Sequence, residues 1–455
     1  MPYRKNRPTV GGFQELAAHT ASGVLVQRPT VDDGARDALL KADTVELVRP
    51  FHGAVIHGDM AGDLGAVYPD TPRPDLTAVT TAAVLRATGR RVIVQDLNAT
   101  QRPYQPAGAQ VRLVKVQLPS WQADLEFVRV LAAEDPYAPV AIYGATVEHL
   151  PDSPYWPAIR GDAPTAVASL FSIDEIAIGN AYELFPLSRY QMTHGAIRVH
   201  LQASRGCNRT CLYCPYIRTL GRWSGRDPAS LETDVRKLVE LGVREVQFRD
   251  QDFASDNHHA IEVASVLERA GRGALSWSVE GNLDRFTPRL LAAMHDGGAS
   301  EVIVGIESAD PAVLRRARRR VLANLTELIM MVRRAGLRVR GLFIIGLPDD
   351  SWEKLLATLA MAIELDLDAA QFNAYAPLPG EKFGNSESAT VHDFVPLTND
   401  FRYRTCDNMS QKEIRLARAW ATAAFRAHRI GDRIVRNSFM DKIRLRVAGK
   451  THEPL

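Results

Sequence analysis

From Arg198 to Ala374 the chain repeats one pattern, a short apolar run followed by a longer stretch with helical spacing. The runs are Arg198 to Ala203, Glu245 to Phe248, Leu275 to Val279, Glu301 to Gly305, Val339 to Ile345 and Ala370 to Ala374. Between them lie helical patterns at Leu231 to Leu241, His259 to Ala270, Pro288 to Asp296, Thr326 to Ala335 and Trp352 to Leu365. Strands that alternate with helices in this way build a parallel sheet. Six units cannot close an eight-stranded barrel, but they suffice for a curved partial one. Functional residues should then gather at the carboxyl ends of its strands.

A similar alternation comes first in the chain. Apolar runs at Ala54 to His57, Arg91 to Val94, Val111 to Leu118 and Val140 to Tyr143 flank helical patterns at Thr77 to Ala87 and Trp121 to Ala133. The expected fold class is therefore α/β, with an N-terminal Rossmann-like domain over 1–190 and a partial (β/α)6 barrel over 191–385. A C-terminal helical region over 386–455 carries a helix from Gln411 to Arg429 as a cap.

The first barrel strand runs into Cys207-Asn-Arg-Thr-Cys211-Leu-Tyr-Cys214, a C-x3-C-x2-C loop. A cubane 4Fe-4S cluster normally takes four thiolates, so a loop that offers three leaves one iron open to another ligand. Structural zinc would need a fourth donor of its own. The remaining cysteine, Cys406, is nearly two hundred residues away, and the nearest downstream histidines are His258 and His259, read here as surface residues at a helix start. Zinc is the poorer fit, and Cys406 reads as a single buried thiol.

Composition narrows the class further. Apolar residues make up 46% and charged residues 24%, which excludes a disordered or fibrous chain. A formal net charge of +2 predicts neither a nucleic-acid footprint nor a membrane surface. The one local exception is Arg315, Arg316, Arg318, Arg319 and Arg320, read as the solvated face of a helix, with a dock for an acidic electron donor as the sharper alternative. No apolar run is long enough to span a membrane, and Met1-Pro-Tyr-Arg-Lys lacks the apolar core of a secretory signal. With few cysteines, three of them in one loop, a reducing cytoplasm is expected.

C-x3-C-x-Tyr-C, with Tyr213 before the last cysteine, resembles the signature loop of the radical S-adenosylmethionine (SAM) superfamily. Four further stretches resemble the same superfamily in the right order: Arg249-Asp-Gln-Asp252-Phe, Val304-Gly-Ile-Glu307-Ser308, Gly341-Leu-Phe-Ile-Ile-Gly346-Leu-Pro348 and Ala376-Pro-Leu-Pro379-Gly380. The resemblance implies a 4Fe-4S cluster on Cys207, Cys211 and Cys214, with SAM on its open iron and an electron donor such as flavodoxin or ferredoxin. It places Glu307 and Ser308 at the ribose hydroxyls, Tyr213 beside the adenine and the Gly346 loop against the base.

A Rossmann-like domain ahead of such a barrel is similar to the cobalamin-dependent branch, in which methyl transfer to carbon is the commonest activity. Val114-Lys-Val-Gln-Leu-Pro-Ser-Trp121 and Val140-Ala-Ile-Tyr-Gly144 resemble that branch's cobalamin domain. Two departures put cobalamin in doubt. The D-x-H-x-x-G motif has no counterpart, His57-Gly-Asp59 being only a strand end, and the Asp96 to Val111 connection is short and contains proline. With a vestigial cobalamin domain, the chain resembles the radical SAM diol dehydratases of aminoglycoside antibiotic biosynthesis, which deoxygenate an amino sugar such as paromamine. That likeness implies a lyase on a small polar substrate, partnered by an NAD(P)H-dependent reductase. The runner-up is a cobalamin-dependent methyltransferase of a secondary metabolite. Dehydration needs a base for the ketyl hydroxyl and an acid for the leaving one. Asp250, Asp252, Glu280 and Asp284, at strand ends, and Tyr216 and Tyr375 are the candidates, against the plainer roles of helix caps, turn residues and packing.

Overall fold

The computed structural model describes residues 29–429, apart from 53–55, 58–65, 68–72, 154, 175–177, 192–194, 272, 378–382, 384–388 and 394–405. Met1 to Lys5, Gly58, Asp59, Pro379 and Gly380, singled out in the sequence, lie outside the described residues.

The first layer runs β1 (Thr30–Val31), α1 (Asp33–Lys41), β2 (Thr44–Arg49), a small hairpin of β3 (Ile56–His57) and β4 (Ala66–Val67), and α2 (Leu76–Ala87). It continues with β5 (Arg91–Asp96), α3 (Leu97–Thr100), β6 (Val111–Lys115), α4 (Trp121–Glu134), β7 (Val140–Tyr143), β8 (Ala158–Arg160) and α5 (Ala163–Leu170). The sheet order is β1-β8-β7-β6-β2-β5, parallel except where β1 pairs β8. This is a doubly wound sheet with the apolar faces of its strands buried on both sides. Between β5 and β6 stands only the single turn α3, then irregular chain, as the proline-containing connection implied.

One expectation is corrected. The first parallel strand is Thr44–Arg49, whereas Ile56–His57 belongs to the two-stranded hairpin. The true strand carries Glu46 and Arg49, charges that disguise it. Both are buried, Glu46 with Gln95 and Tyr104, and Arg49 beside Asp96.

The second layer begins with β9 (Ile197–Leu201), β10 (Ser204–Arg205), α6 (Tyr216–Leu220), β11 (Ser224–Gly225), α7 (Pro228–Glu240) and β12 (Val243–Phe248). It goes on through α8 (Asn257–Gly271), β13 (Ser276–Gly281), α9 (Pro288–Asp296), β14 (Ala299–Glu307), α10 (Pro311–Arg316), α11 (Leu325–Arg334), β15 (Arg338–Ile345), α12 (Trp352–Glu364), β16 (Ala369–Ala374) and α13 (Gln411–Arg429). The strands pair in parallel in the order β16-β15-β14-β13-β12-β9, with β9 and β16 as free edges of a curved half-barrel. Four helix starts are pinned by a side chain that accepts an otherwise orphaned backbone N–H: Asp227 for α7, Thr287 for α9, Asp310 for α10 and Ser351 for α12. Val199, Val246, Val279, Val302 and Val339 are fully or almost fully buried beneath those helices. The amphipathic α13 packs over β16 and α12 through Ile414, Ala417 and Ala421.

The two layers meet through polar joints. Asn180 donates its backbone N–H and its amide to Asp234 of α7 at 2.8 and 2.6 Å, and Thr80 of α2 donates to Asn180 at 3.1 Å. No described helix is long and apolar enough to cross a membrane.

Candidate functional site

The cysteine loop leaves the barrel where β9 ends. Asp250 braces that exit, its carboxylate accepting from Ala203 N at 2.9 Å and Ser204 Oγ at 2.5 Å. Gly206 then turns with φ +75°, and a Cβ there would lie 2.3 Å from the Arg222 carbonyl oxygen, so no larger residue fits. Cys207 N donates to Gly221 O at 3.2 Å and Leu212 N to Ala317 O at 3.0 Å, which ties both halves of the loop to neighbouring segments.

All three cysteines line one cavity of about 210 Å³ at the carboxyl ends of the barrel strands. None is in a disulfide, and Cys207 is the most buried of the three. Among the described residues no three His, Cys, Asp or Glu side chains converge closely enough to hold a single ion. Three thiols spread along one wall suit a cubane, whose irons are themselves spread, better than lone zinc.

Beside the cysteines stands a buried charged group that centres on the end of β14. Strand pairing slips between Gly305 and Glu307, and Glu307 sits at φ +68°, an unusual conformation for a residue with a side chain. The slip turns the Glu307 carboxylate into the cavity, where Tyr213 Oη donates to it at 3.0 Å and Arg319 Nη2 lies 3.9 Å away. Arg319 also donates to Asn282 Oδ1 and the Gly305 carbonyl, each at 2.5 Å, and its Nη1 is 4.0 Å from Cys211 Sγ. Burial pushes the Glu307 carboxyl up, against the pull of Arg319 and Tyr213. Burial and then Glu307 push the Tyr213 phenol far up. Burial alone would favour a neutral Arg319, but Tyr213, Glu307 and Cys211 hold it firmly charged. Arg319 is therefore a site residue that the sequence reading placed on a solvated face. The run is no single helix face: α10 ends at Arg316, and of the residues beyond it Arg318 and Arg320 point outward.

The remaining candidates separate. Tyr216, Asp250 and Glu280 line the cavity, and Glu280 pairs with Arg249 at 3.6 Å. Asp252 does not line it. It is fully buried, with Oδ1 accepting from Asn282 N at 3.0 Å. Asp284 is bound by Arg209 and Arg320. Ser308 is buried, its Oγ accepting from Asp310 N at 3.1 Å, and Gly346 donates its N–H to Asp350 at 2.8 Å; neither lines the cavity. Tyr375 packs edge-on against Phe383. His258 is exposed, but His259 is half-buried, with Nε2 2.9 Å from the Ala203 carbonyl. Cys406 is buried and donates to the Asp350 carbonyl. Asn282 and Asn373 line the cavity and carried no motif signal.

Doubly wound sheets take ligands where the strand order reverses, outside the carboxyl ends. Here that point lies between β2 and β6. It is occupied by an ion network: Lys115 Nζ donates to Asp75 Oδ1 at 3.1 Å, both side chains being fully buried. Arg49 reaches Asp96 at 3.4 Å, Gln117 at 3.3 Å and the Arg73 carbonyl at 3.0 Å, and Tyr190 donates to Asp96 at 2.7 Å. Beside it His52 Nε2 lies 2.8 Å from Asp124, a histidine that the sequence reading did not single out.

Similarity to known proteins follows the same geography. Residues 201–362 match the model of the Radical SAM superfamily. An uncharacterized methyltransferase of Pyrococcus horikoshii is 30% identical over 55% of this chain and 53% of its own length. The cytidylyl-2-hydroxyethylphosphonate methyltransferase of Streptomyces wedmorensis is 30% identical over 45% and 40%. The chain thus spans about half the length of these relatives. Among solved structures, the radical SAM methyltransferase TsrM of Kitasatospora setae superposes with a TM-score of 0.56 at 16% identity, over 72% of each chain. The cobalamin-dependent SAM radical enzyme OxsB gives 0.54 at 14%, over 81% of this chain and 59% of its own. The structural likenesses establish the fold, and both named sequence relatives are methyltransferases. The barrel of this chain is a radical SAM domain, of the superfamily that works with a 4Fe-4S cluster and SAM.

Proposed function

We propose that this chain is a radical SAM enzyme that transfers a methyl group to a small polar substrate held in the barrel cavity. The observation that carries the radical SAM part is the meeting, around one cavity, of Cys207, Cys211 and Cys214 with the Tyr213–Glu307–Arg319 group. Methyl transfer rests on the names of the two relatives with 30% identity.

Cys207, Cys211 and Cys214 would hold the cluster, which when bound would supply the electron that cleaves the C–S bond of SAM to methionine and a 5'-deoxyadenosyl radical. The protein's own residues prepare that event. Glu307 is an acceptor for the two hydroxyls of a ribose, and Arg319 a fixed cation for a carboxylate, both already oriented by neighbours. Holding a reacting carbon beside the nucleoside in a water-poor cavity is most of what radical chemistry asks of a protein. Glu280 and Tyr216 stand at the cavity wall as groups that can take or give a proton on the substrate side.

A second reading, radical dehydration of a vicinal diol, is favoured by one observation in the N-terminal layer. A corrin bound to such a sheet would enter at the switch point, where Lys115, Asp75, Arg49 and Gln117 are buried against one another. That buried network is the support for a reaction without cobalamin.

Product analysis decides between the two. Anaerobic turnover with SAM, a low-potential reductant and candidate polar substrates should release both 5'-deoxyadenosine and S-adenosylhomocysteine with a methylated product. Release of 5'-deoxyadenosine and a dehydrated keto product without S-adenosylhomocysteine would replace methyl transfer by the second reading.

A further inference from the structure

One carboxylate ties the cysteine loop to the barrel and takes no part in the chemistry above. Asp284 lies in the single turn Leu283–Arg285 beyond β13. Both of its oxygens accept from Arg209 Nη2 at 2.8 Å, and Oδ2 also accepts from Arg320 Nη1 at 2.6 Å. Three separate segments therefore converge on one side chain: the loop between Cys207 and Cys211, the end of β13, and the stretch after α10. The two ion pairs differ in shelter. The Asp284 and Arg209 side chains are only 10% and 21% exposed, whereas Arg320 is 64% exposed. The inner pair is screened little by solvent, while water already screens much of the outer cation.

Arg209 is bound to the cysteines by more than proximity in sequence, since its backbone N–H donates to Cys207 Sγ at 3.3 Å. A bare guanidinium at this place would put a full positive charge beside the thiolate loop. Asp284 supplies the matching negative charge.

We propose that Asp284 is a positioning residue that neutralises Arg209 beside the cysteine loop and thereby keeps the reduction potential of the cluster held there low. The potential of an iron-sulfur cluster follows the charge and hydrogen bonding around it, and an uncompensated cation favours the more negative reduced state. A low potential suits the reduction of a sulfonium. The inference rests on the cluster reading above.

The test is EPR-monitored redox titration of the anaerobically reconstituted full-length chain, with iron and sulfide counted for each sample. Asp284→Asn, which leaves Arg209 uncompensated, shifts the potential positive. Arg209→Gln, which leaves Asp284 to Arg320 alone, shifts it negative. Arg320→Gln leaves it close to wild type, and the Asp284→Asn/Arg209→Gln double variant returns it there. A merely structural brace would alter iron retention in the single variants but would not restore the potential in the double one. If Asp284→Asn holds too little iron to titrate, the negative shift in Arg209→Gln carries the test. An unmoved potential in fully loaded Asp284→Asn or Arg209→Gln, or an equal shift in Arg320→Gln, overturns the proposal alone. A wild-type chain that takes up no cluster overturns the cluster reading and this proposal together.

Discussion

Arg319 is the residue on which the site depends most. It donates to Asn282 and Gly305 while it compensates Glu307, so its loss leaves two acceptors and a buried carboxylate without their partner. Arg319→Gln should weaken SAM binding at least about tenfold, or about 1.4 kcal/mol, as read by calorimetry on the anaerobic protein. Unchanged affinity would remove Arg319 from the site. Asp250 makes a different forecast. Burial pushes its carboxyl up to about 7, against the bonds from Ser204 and Ala203. Its folded value thus lies above the ordinary 3.8, so the stability it contributes is complete below that value and is lost as pH rises through about 7. Asp250→Asn should flatten that decline in denaturant titrations between about pH 5 and about pH 8. An identical slope in both proteins would show that the carboxyl does not titrate there. Cys406→Ser should be nearly neutral, because a hydroxyl can also donate to the Asp350 carbonyl.

Two glycines show how the elements set the site. A Cβ at Gly206 would meet backbone, the Arg222 carbonyl oxygen at 2.3 Å, in a left-handed turn. At Gly305 it would meet side-chain ends rather than backbone, Glu307 Oε1 at 2.3 Å and Arg319 Nη2 at 2.9 Å. Gly206→Ala should therefore destabilise the chain by about 1–3 kcal/mol, while Gly305→Ala should leave the melting temperature almost unchanged and lower SAM affinity. The reverse pattern in thermal scans and calorimetry would contradict the β14 slip as the device that aims Glu307. The barrel strands were legible because strands covered on both faces read as apolar runs, such as the buried Val302 to Val304, and Leu342 to Ile345, where Leu342 and Ile344 line the cavity. β2 was not, because Glu46 and Arg49 look like surface charges until their buried partners are known. Arg319 was hidden for the same reason among four other arginines, since nothing local distinguishes the one that turns inward. The cysteine loop and Glu307 were legible because their spacing and order are themselves the signal. Asp252 and Asp284 sit at strand ends as expected, but their side chains are committed to Asn282 N and to Arg209.

At the scale of the whole molecule, the N-terminal layer stands on a buried ion network at its switch point rather than on an apolar one. Asp75→Ala would take its carboxylate counterion from the buried Lys115 ammonium, which should cost about 3–5 kcal/mol in chemical denaturation. A loss below about 1 kcal/mol would mean that water reaches the network and the crevice is more open than described. The two layers are joined by Asn180 to Asp234, and on the function proposed above the chemistry belongs to the barrel. The most direct test of that claim is anaerobic reconstitution followed by SAM cleavage under a low-potential reductant, in wild type and Cys211→Ala. The account predicts about four irons per chain and 5'-deoxyadenosyl products in wild type, with both lost in the variant. A single zinc per wild-type chain, or equal cleavage by Cys211→Ala, would contradict it.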